Sequence, residues 1–343
     1  MSDRIPQTPP VIKPVPDQVK RPLWSVMIPC YNCSAFLIET LRAVLQQDPG
    51  PEIMQIEVVD DFSTDTNVEA LVDYIGKGRV KYYRQPENVG SLRNFETCLN
   101  RSTGQYIHLL HGDDLVKPGF YAEMQEVFSR FPEAGAAFSG YSFINEQNTE
   151  LYHNNEFLSE PGILKDWLFK IGYVQHIQPP AMVVKREVYE KLGSFFAAHY
   201  AEDWEMWVRI AAHYPVAHSP KRLAFYRIHE NNITSRSFLS GQYITDTLLV
   251  IDIIQQYFPR SERKKMRRMA RHHFASYFSH TTDRIYHGFH RPDVALAQAK
   301  RALKIHFCYT TIFFYIKNSV KILIGYKMVK EKKFLFYPLN LFR

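Results

Sequence analysis

The sequence predicts an α/β protein: a single, mostly parallel, doubly wound sheet flanked by helices, with a helical appendage behind it. Three observations predict it. Short apolar runs alternate with amphipathic stretches from residue 24 to residue 110, each run empties into a polar loop, and after about Ser240 the alternation gives way to long helical stretches.

The elements follow in order. Residues 24–28 (WSVMI) form a short, β-prone run closed by Pro29 and Tyr31-Asn32, as expected of a buried parallel strand. Ser34 can cap a helix carrying Leu37, Leu41, Val44 and Leu45 on one side, and Pro49-Gly50-Pro51 stops it. Residues 56–61 (IEVVDD) read as the second strand and 68–75 as a helix. Residues 80–84 then read as a strand, 92–100 as a helix and 105–110 (QYIHLL) as a strand ending on His111-Gly112-Asp113-Asp114. Near the middle of the chain, Glu202-Asp203 opens a helix over 204–212.

Composition bounds the rest. The chain has 343 residues, 45% hydrophobic and 22% charged, which excludes a disordered, collagenous or coiled-coil protein and suits two domains. Four cysteines are too few for a disulfide framework, so a reducing compartment is expected. Cys30-x-x-Cys33 has no second pair and reads as structural. The first 22 residues hold six prolines and no secretory pattern, which predicts a flexible arm. The net charge of +7 is unevenly shared: residues 260–343 carry +15, the remainder −8. The expected organisation is an arm (1–22), an α/β domain (23–240) and a basic helical region (241–343).

Ligands of such sheets lie beyond the carboxyl ends of the strands. Tyr31 and Asn32, Asp60 and Asp61, and Asp113 and Asp114 all stand there. Gathered carboxylates repel one another, and a bound cation relieves them. Each aspartate could instead cap the helix after its strand, but three coincident sites fit that reading poorly. No GxGxxG, GxxxxGK[ST], GxSxG or HExxH string occurs. Acids reach phosphate only through a divalent metal, so a metal-bridged diphosphate ligand is expected.

At these residues the chain resembles the family 2 glycosyltransferases of GT-A fold. SVMIPCYN resembles the family's first strand and nucleotide loop, and VVDDFSTD its VDDGSTD block. ENVGSLRNFETCLNRSTGQYIHLLHGDDLVKPGF is similar to the stretch ending in the DXD metal motif. YEKLGSFFAAHYAEDWEMWVRIA resembles the acceptor-side block with the catalytic acid pair, and AFYRIHENNIT the YRxH block. The match spans roughly residues 23–235.

By position, the resemblance implies that Pro29, Tyr31, Asn32, Asp60 and Asp61 hold the nucleoside end of a nucleotide-sugar donor, with Asn88, Arg93 and Asn94 nearby. It implies that Asp113 binds Mn²⁺ or Mg²⁺ while Asp114 supports it or positions the sugar. His111 stands where the first DXD acid would be, so one carboxylate contact is missing. Arg227 would cover the diphosphate and His229 could ligate the metal. Asp203, with Glu202, would supply the base of an inverting transfer to a hydroxyl, or else only cap its helix. Trp204 and Trp207 would border the acceptor, or else fill the core.

In the basic region, residues 305–316 are too short to span a membrane. Ile316, Val320, Leu323 and Ile324 form an apolar stripe, read as flanked by lysines. With Lys330, Lys332 and Lys333 they read as an interfacial element on an anionic cytoplasmic membrane surface, bringing the crevice to a glycan or lipid-linked acceptor. The alternative is a helix packed on the protein with its basic residues in water. Three other functions compete: a sugar-nucleotide pyrophosphorylase, which lacks its glycine-rich signature here; a nucleic-acid binder using the basic half, for which no module is legible; and an inactive or merely nucleotide-binding relative that has lost its metal at His111.

Overall fold

The structure is a computed structural model and describes residues 4–230 and 232–326. The alternation expected from the sequence is present: β1 (Trp24–Cys30), α1 (Ser34–Leu45), β2 (Met54–Asp60), α2 (Val68–Gly76), β3 (Lys81–Arg84), α3 (Ser91–Arg101) and β4 (Tyr106–Leu109). Every residue of β1 is buried, as its unbroken apolar run requires. Ser34 opens α1 without capping it. Its N–H and hydroxyl both donate to Asp65 Oδ2, at 3.0 and 2.7 Å, so the cap comes from the loop after β2.

The chain continues through β5 (Leu115–Val116), α4 (Phe120–Arg130), β6 (Ala136–Ile144), β7 (Glu150–His153), β8 (Gly162–Ile163) and α5 (Trp167–Ile171). Then come β9 (Met182–Lys185), α6 (Arg186–Leu192), α7 (Glu202–His213) and β10 (Val216–Arg227). The sheet order is β3-β2-β1-β4-β9-β6-β10-β5, with β7 beside β6 and β8 beside β10. Strands β1–β4, β6 and β10 run one way. Strand β9 lies antiparallel between β4 and β6, and β5, β7 and β8 are also antiparallel to their neighbours. The sheet is thus mostly parallel by strand direction, with antiparallel pairing concentrated beyond β4.

The chain forms two compact units. The first comprises Met1–Trp167 and His176–Ile228, the second Leu168–Gln175 and His229–Arg343. The chain passes between them at Trp167–Leu168, Gln175–His176 and Ile228–His229, the last ahead of the boundary expected near 240.

The Pro-rich segment departs from the flexible arm expected. Ile12 is buried, the carbonyls of Pro6 and Pro10 each accept at 2.8 Å from Ala197 N and Ser194 N, and Arg186 donates to the Lys13 carbonyl at 2.8 Å. Proline removes donors but keeps acceptors, so a ladder-incompetent segment can still dock through its carbonyls.

In the second unit, α8 (Ile233–Ser240), α9 (Gln242–Ile253), α10 (Arg260–Asp283), α11 (Pro292–Ile305) and α12 (Tyr309–Leu323) pack together. Buried polar links fix them: Gln298 donates to the Phe238 carbonyl at 2.6 Å and accepts from Tyr243 Oη at 2.7 Å, and Asn318 donates to Thr282 at 2.9 Å. On α12, Tyr309, Phe313, Ile316, Val320 and Leu323 recur at spacings of three and four residues and are all exposed, Tyr309 and Leu323 by more than 80%. Among the described residues, Lys317 and Lys321 do not flank this stripe as expected. Lys317 and Lys321 turn inward to Asp283, at 2.6 and 3.2 Å, because the other face of α12 packs on α10. Lys327, Lys330, Lys332 and Lys333 lie outside the described residues. Among the described residues, no helix is long and apolar enough to cross a membrane.

Candidate active site

The ends of β1 and β2 build the first wall. Asp60 is fully buried and accepts from Ser63 N at 2.9 Å, Tyr82 Oη at 2.8 Å and Arg84 at 2.9 Å, so it holds the loop in shape. Asp61 accepts from Val89 N (2.7 Å), Gly90 N (2.9 Å) and Asn88 Nδ2 (2.9 Å), which ties the end of β2 to the entry of α3. Burial raises the Asp61 carboxyl above its usual range, against the pull of those two N–H groups. Gly90 carries this turn with φ +91°, a conformation that side chains rarely adopt.

Asn32 bridges the two loops, its N–H donating to Ser63 Oγ and its Oδ1 accepting from Thr64 N. Asn94 spends its amide on the Val59 carbonyl and Gln85, bracing the sheet from within, and Arg93 pairs with Glu96 at 2.7 Å on α3. Tyr31 is about half exposed at the crevice mouth. A second exposed aromatic, Phe62, was missed from the sequence. It takes a left-handed φ of 64° with the Arg84 guanidinium 4.5 Å over its ring. The legible signal was DDFSTD, which places Phe where the family block has Gly.

The turn after β4 is the centre of the site. Gly112 donates to the Pro29 carbonyl at 3.1 Å, and a Cβ there would lie 2.9 Å from Cys33 Sγ, so any larger residue must displace the sulfur. Ligand atoms of His111, Asp113 and Asp114 lie within 4.8 Å of one another. Burial lowers the His111 pKa, which keeps the imidazole neutral and able to ligate; it stacks on Phe95 at 5.1 Å. Burial, then the Asp113 charge, holds the Asp114 carboxyl well above its usual range, and Asp114 Oδ2 is buried with no hydrogen-bond partner. An orphaned carboxylate oxygen beside a second carboxylate and a neutral imidazole fits a divalent cation. His111 therefore stands as a third candidate ligand in the place of the missing acid. His229, the other expected ligand, belongs to the second unit, where its carbonyl accepts from Ser235 Oγ at 2.9 Å.

Arg227, expected to cover the diphosphate, instead clamps this turn from below. The guanidinium is buried and donates to the Asp113 carbonyl at 2.8 Å, Glu39 at 2.8 Å and Asn148 at 2.6 Å. The Arg227 N–H donates to Asp114 Oδ1 at 2.9 Å.

The acid pair opens α7. Asp203 Oδ1 accepts from Trp204 N at 2.7 Å, so the carboxylate does sit at the helix N-terminus. It also faces outward into a pocket lined by Phe95, His111, Tyr189, Glu202, Asp203 and Trp207 among others. The two tryptophans part company: Trp204 is fully buried, whereas Trp207 lines the pocket and its buried indole N–H has no hydrogen-bond partner.

Residues 25–193 match the model of glycosyl transferase family 2. This chain carries a family 2 glycosyltransferase domain. An uncharacterized glycosyltransferase of Haemophilus influenzae is 24% identical over 222 residues, covering 62% of this chain and 68% of that one. The putative teichuronic acid biosynthesis glycosyltransferase TuaG of Bacillus subtilis is 31% identical over 151 residues, covering 43% and 58%. Among solved structures, S. aureus TarS 1–349 in complex with UDP-GlcNAc superposes with a TM-score of 0.61 at 15% identity, over 89% of this chain and 93% of that one. The mannosyltransferase PcManGT from Pyrobaculum calidifontis, in complex with GDP-Man and Mn²⁺, gives 0.56 at 17%, over 93% and 92%. These likenesses make the fold of the glycosyltransferase GT-A.

Proposed function

We propose that this glycosyltransferase moves a sugar from a nucleoside diphosphate sugar, a UDP-sugar first among them, to a hydroxyl of a glycan or lipid-linked acceptor with inversion. The observation that carries the reading is one pocket lined both by His111 of the metal-fitting turn and by Glu202-Asp203. A leaving-group site and a base must flank the same anomeric carbon for direct displacement, and this juxtaposition supports that.

Tyr31 and Asp61 receive the nucleobase, and His111, Asp113 and Asp114 would hold Mn²⁺ or Mg²⁺. When bound, the cation supplies positive charge to the diphosphate that departs. Asp203 takes the proton of the acceptor hydroxyl as that oxygen bonds to the anomeric carbon. Glu202 stands beside it, and the unpartnered Trp207 N–H is suited to donate to an acceptor oxygen. Arg227 acts through the turn it clamps. The complex of TarS with UDP-GlcNAc, and the similarity to proteins of teichuronic and teichoic acid biosynthesis, favour a UDP-sugar and a polysaccharide acceptor.

The exposed stripe of α12 supports attachment to a membrane surface, its apolar side chains entering the headgroup boundary.

A screen of UDP-, GDP- and dTDP-sugars for slow hydrolysis tests the chemistry. At least one donor turns over with wild type, none with Asp113→Ala, and Asp203→Asn is strongly impaired; no turnover of any donor refutes the reading. Flotation of the full chain with anionic vesicles tests attachment. Leu323→Asp with Ile316→Asp abolishes recovery in the lipid fraction, and equal recovery of both proteins refutes it.

A further inference from the structure

The docked N-terminal segment ends at the nucleoside side of the crevice. Held by the carbonyls of Pro6, Pro10 and Lys13, it carries Arg4 to the entry of α3, where the guanidinium donates to Asn88 Oδ1. Arg4 Nε lies 3.1 Å from where a Gly90 Cβ would stand. Asn88 passes the contact on, its Nδ2 donating to both the main-chain carbonyl and the carboxylate of Asp61. A guanidinium, an amide and a carboxylate thus form one chain of hydrogen bonds along the crevice wall.

The capacities of these groups are unequal. A carboxylate offers roughly four acceptor positions, and Asp61 has filled three with Asn88, Val89 and Gly90. A guanidinium offers five N–H donors in a rigid fork, and Arg4, exposed at the mouth, uses one on Asn88. What remains by count is one acceptor on Asp61, which is 2% exposed, and several donors on Arg4, joined to it through Asn88. Other cations on this wall are committed: Arg84 to Asp60 and the Ser63 carbonyl, Arg227 to the metal-fitting turn.

An acceptor beside a donor matches a particular base edge. Uracil, thymine and guanine present a ring N–H next to a carbonyl oxygen, whereas cytosine and adenine present a bare ring nitrogen next to an amine. We infer that Arg4 is a specificity-determining residue for the donor, giving a hydrogen bond to the base carbonyl while Asp61 accepts from the adjacent ring N–H, so that bases with that edge are selected. The inference rests on the proposed nucleoside site at Asp61 and adds a residue far from the family blocks.

Calorimetry on the full chain with Mn²⁺ and UDP, GDP, CDP and ADP tests it, using wild type, Arg4→Met and Arg4→Lys. Wild type binds UDP or GDP at least about tenfold more tightly than CDP and ADP. Arg4→Met loses about tenfold for the preferred nucleotide and little for CDP, collapsing the ratio, and Arg4→Lys restores part of it. Loss of equal size for all four nucleotides means that Arg4 merely anchors the segment, and refutes the inference. An unchanged preference in Arg4→Met refutes it too, while leaving the nucleoside site standing. Failure of wild type to bind any of the four overturns both.

Discussion

Replacing Arg227 by lysine separates a residue that shapes the turn from one that touches substrate. The guanidinium reaches the Asp113 carbonyl, Asn148 and Glu39 at 2.6–2.8 Å from one rigid plane, and its centre lies 4.7 Å over the Phe36 ring. A lysine keeps the charge but reaches one of these partners at best. Losing two charge-assisted bonds costs ~3–5 kcal/mol. Glu39 is 40% exposed, so water replaces part of what it loses, and ~3 kcal/mol is the expected total. For a domain of this size that lowers Tm by about 6–12 °C. Thermal unfolding followed by circular dichroism, beside calorimetry with UDP and Mn²⁺, gives the two readouts. Arg227→Lys falls in Tm and weakens nucleotide binding together, because the Asp113-Asp114 backbone is released. An Arg227→Lys protein with wild-type Tm and lost nucleotide affinity would refute the clamp and return Arg227 to the diphosphate.

Asp203→Asn preserves the bond from Trp204 N but cannot accept a proton, so transfer falls about 10²- to 10⁴-fold while UDP affinity is unchanged, as single-turnover and binding measurements would show. Asp114→Asn replaces the unpartnered Oδ2 with an amide nitrogen that cannot ligate a cation, and Mn²⁺-dependent tightening of UDP binding disappears in a titration of the metal. His108 and His218 are buried, their pKa values lowered by burial to about 3 and about 4. The unfolded chain therefore takes up protons first, and stability is lost as pH falls from ~6.5 toward 4, by ~2 kcal/mol for each at pH 5; urea midpoints across that range should flatten in His218→Phe. Gly112→Ala pushes a methyl group to 2.9 Å from Cys33 Sγ and costs ~1–3 kcal/mol, and adding Cys33→Ala returns much of that loss in a double-mutant cycle.

The first half of the fold was legible because its signals are local. Seven stretches between Trp24 and Leu110 alternate in period, and each became the expected element within two residues at either end. Beyond β4 the signals are not local. Strand β9 is four residues long, and nothing in MVVK says that it enters antiparallel between β4 and β6, since strand direction is set by partners distant in sequence. Side-chain direction was hidden for the same reason. Arg227 sits in the expected block yet points beneath the turn, and Lys317 and Lys321 face Asp283, 34 and 38 residues back along the chain. The Pro-rich segment misled because proline content speaks to ladder formation and is silent on docking through carbonyls. His111 was read by what it is not, an acid, and only its grouping with Asp113 and Asp114 gives it a use.

Strand β4 has β1 on one side and β9 on the other, so the metal-fitting turn stands on a seam between two differently made halves. The half bearing Tyr31 and Asp61 is short parallel strands stitched tightly loop to loop. The opposite half is fringed by β7 and β8, peripheral antiparallel strands whose connecting loops can be lengthened or exchanged without re-registering the sheet. Change in sequence and length can therefore accumulate on this fringe while the parallel half and the metal-fitting turn keep their register, and the segments around β7 and β8 are the natural place for grafting experiments on this enzyme.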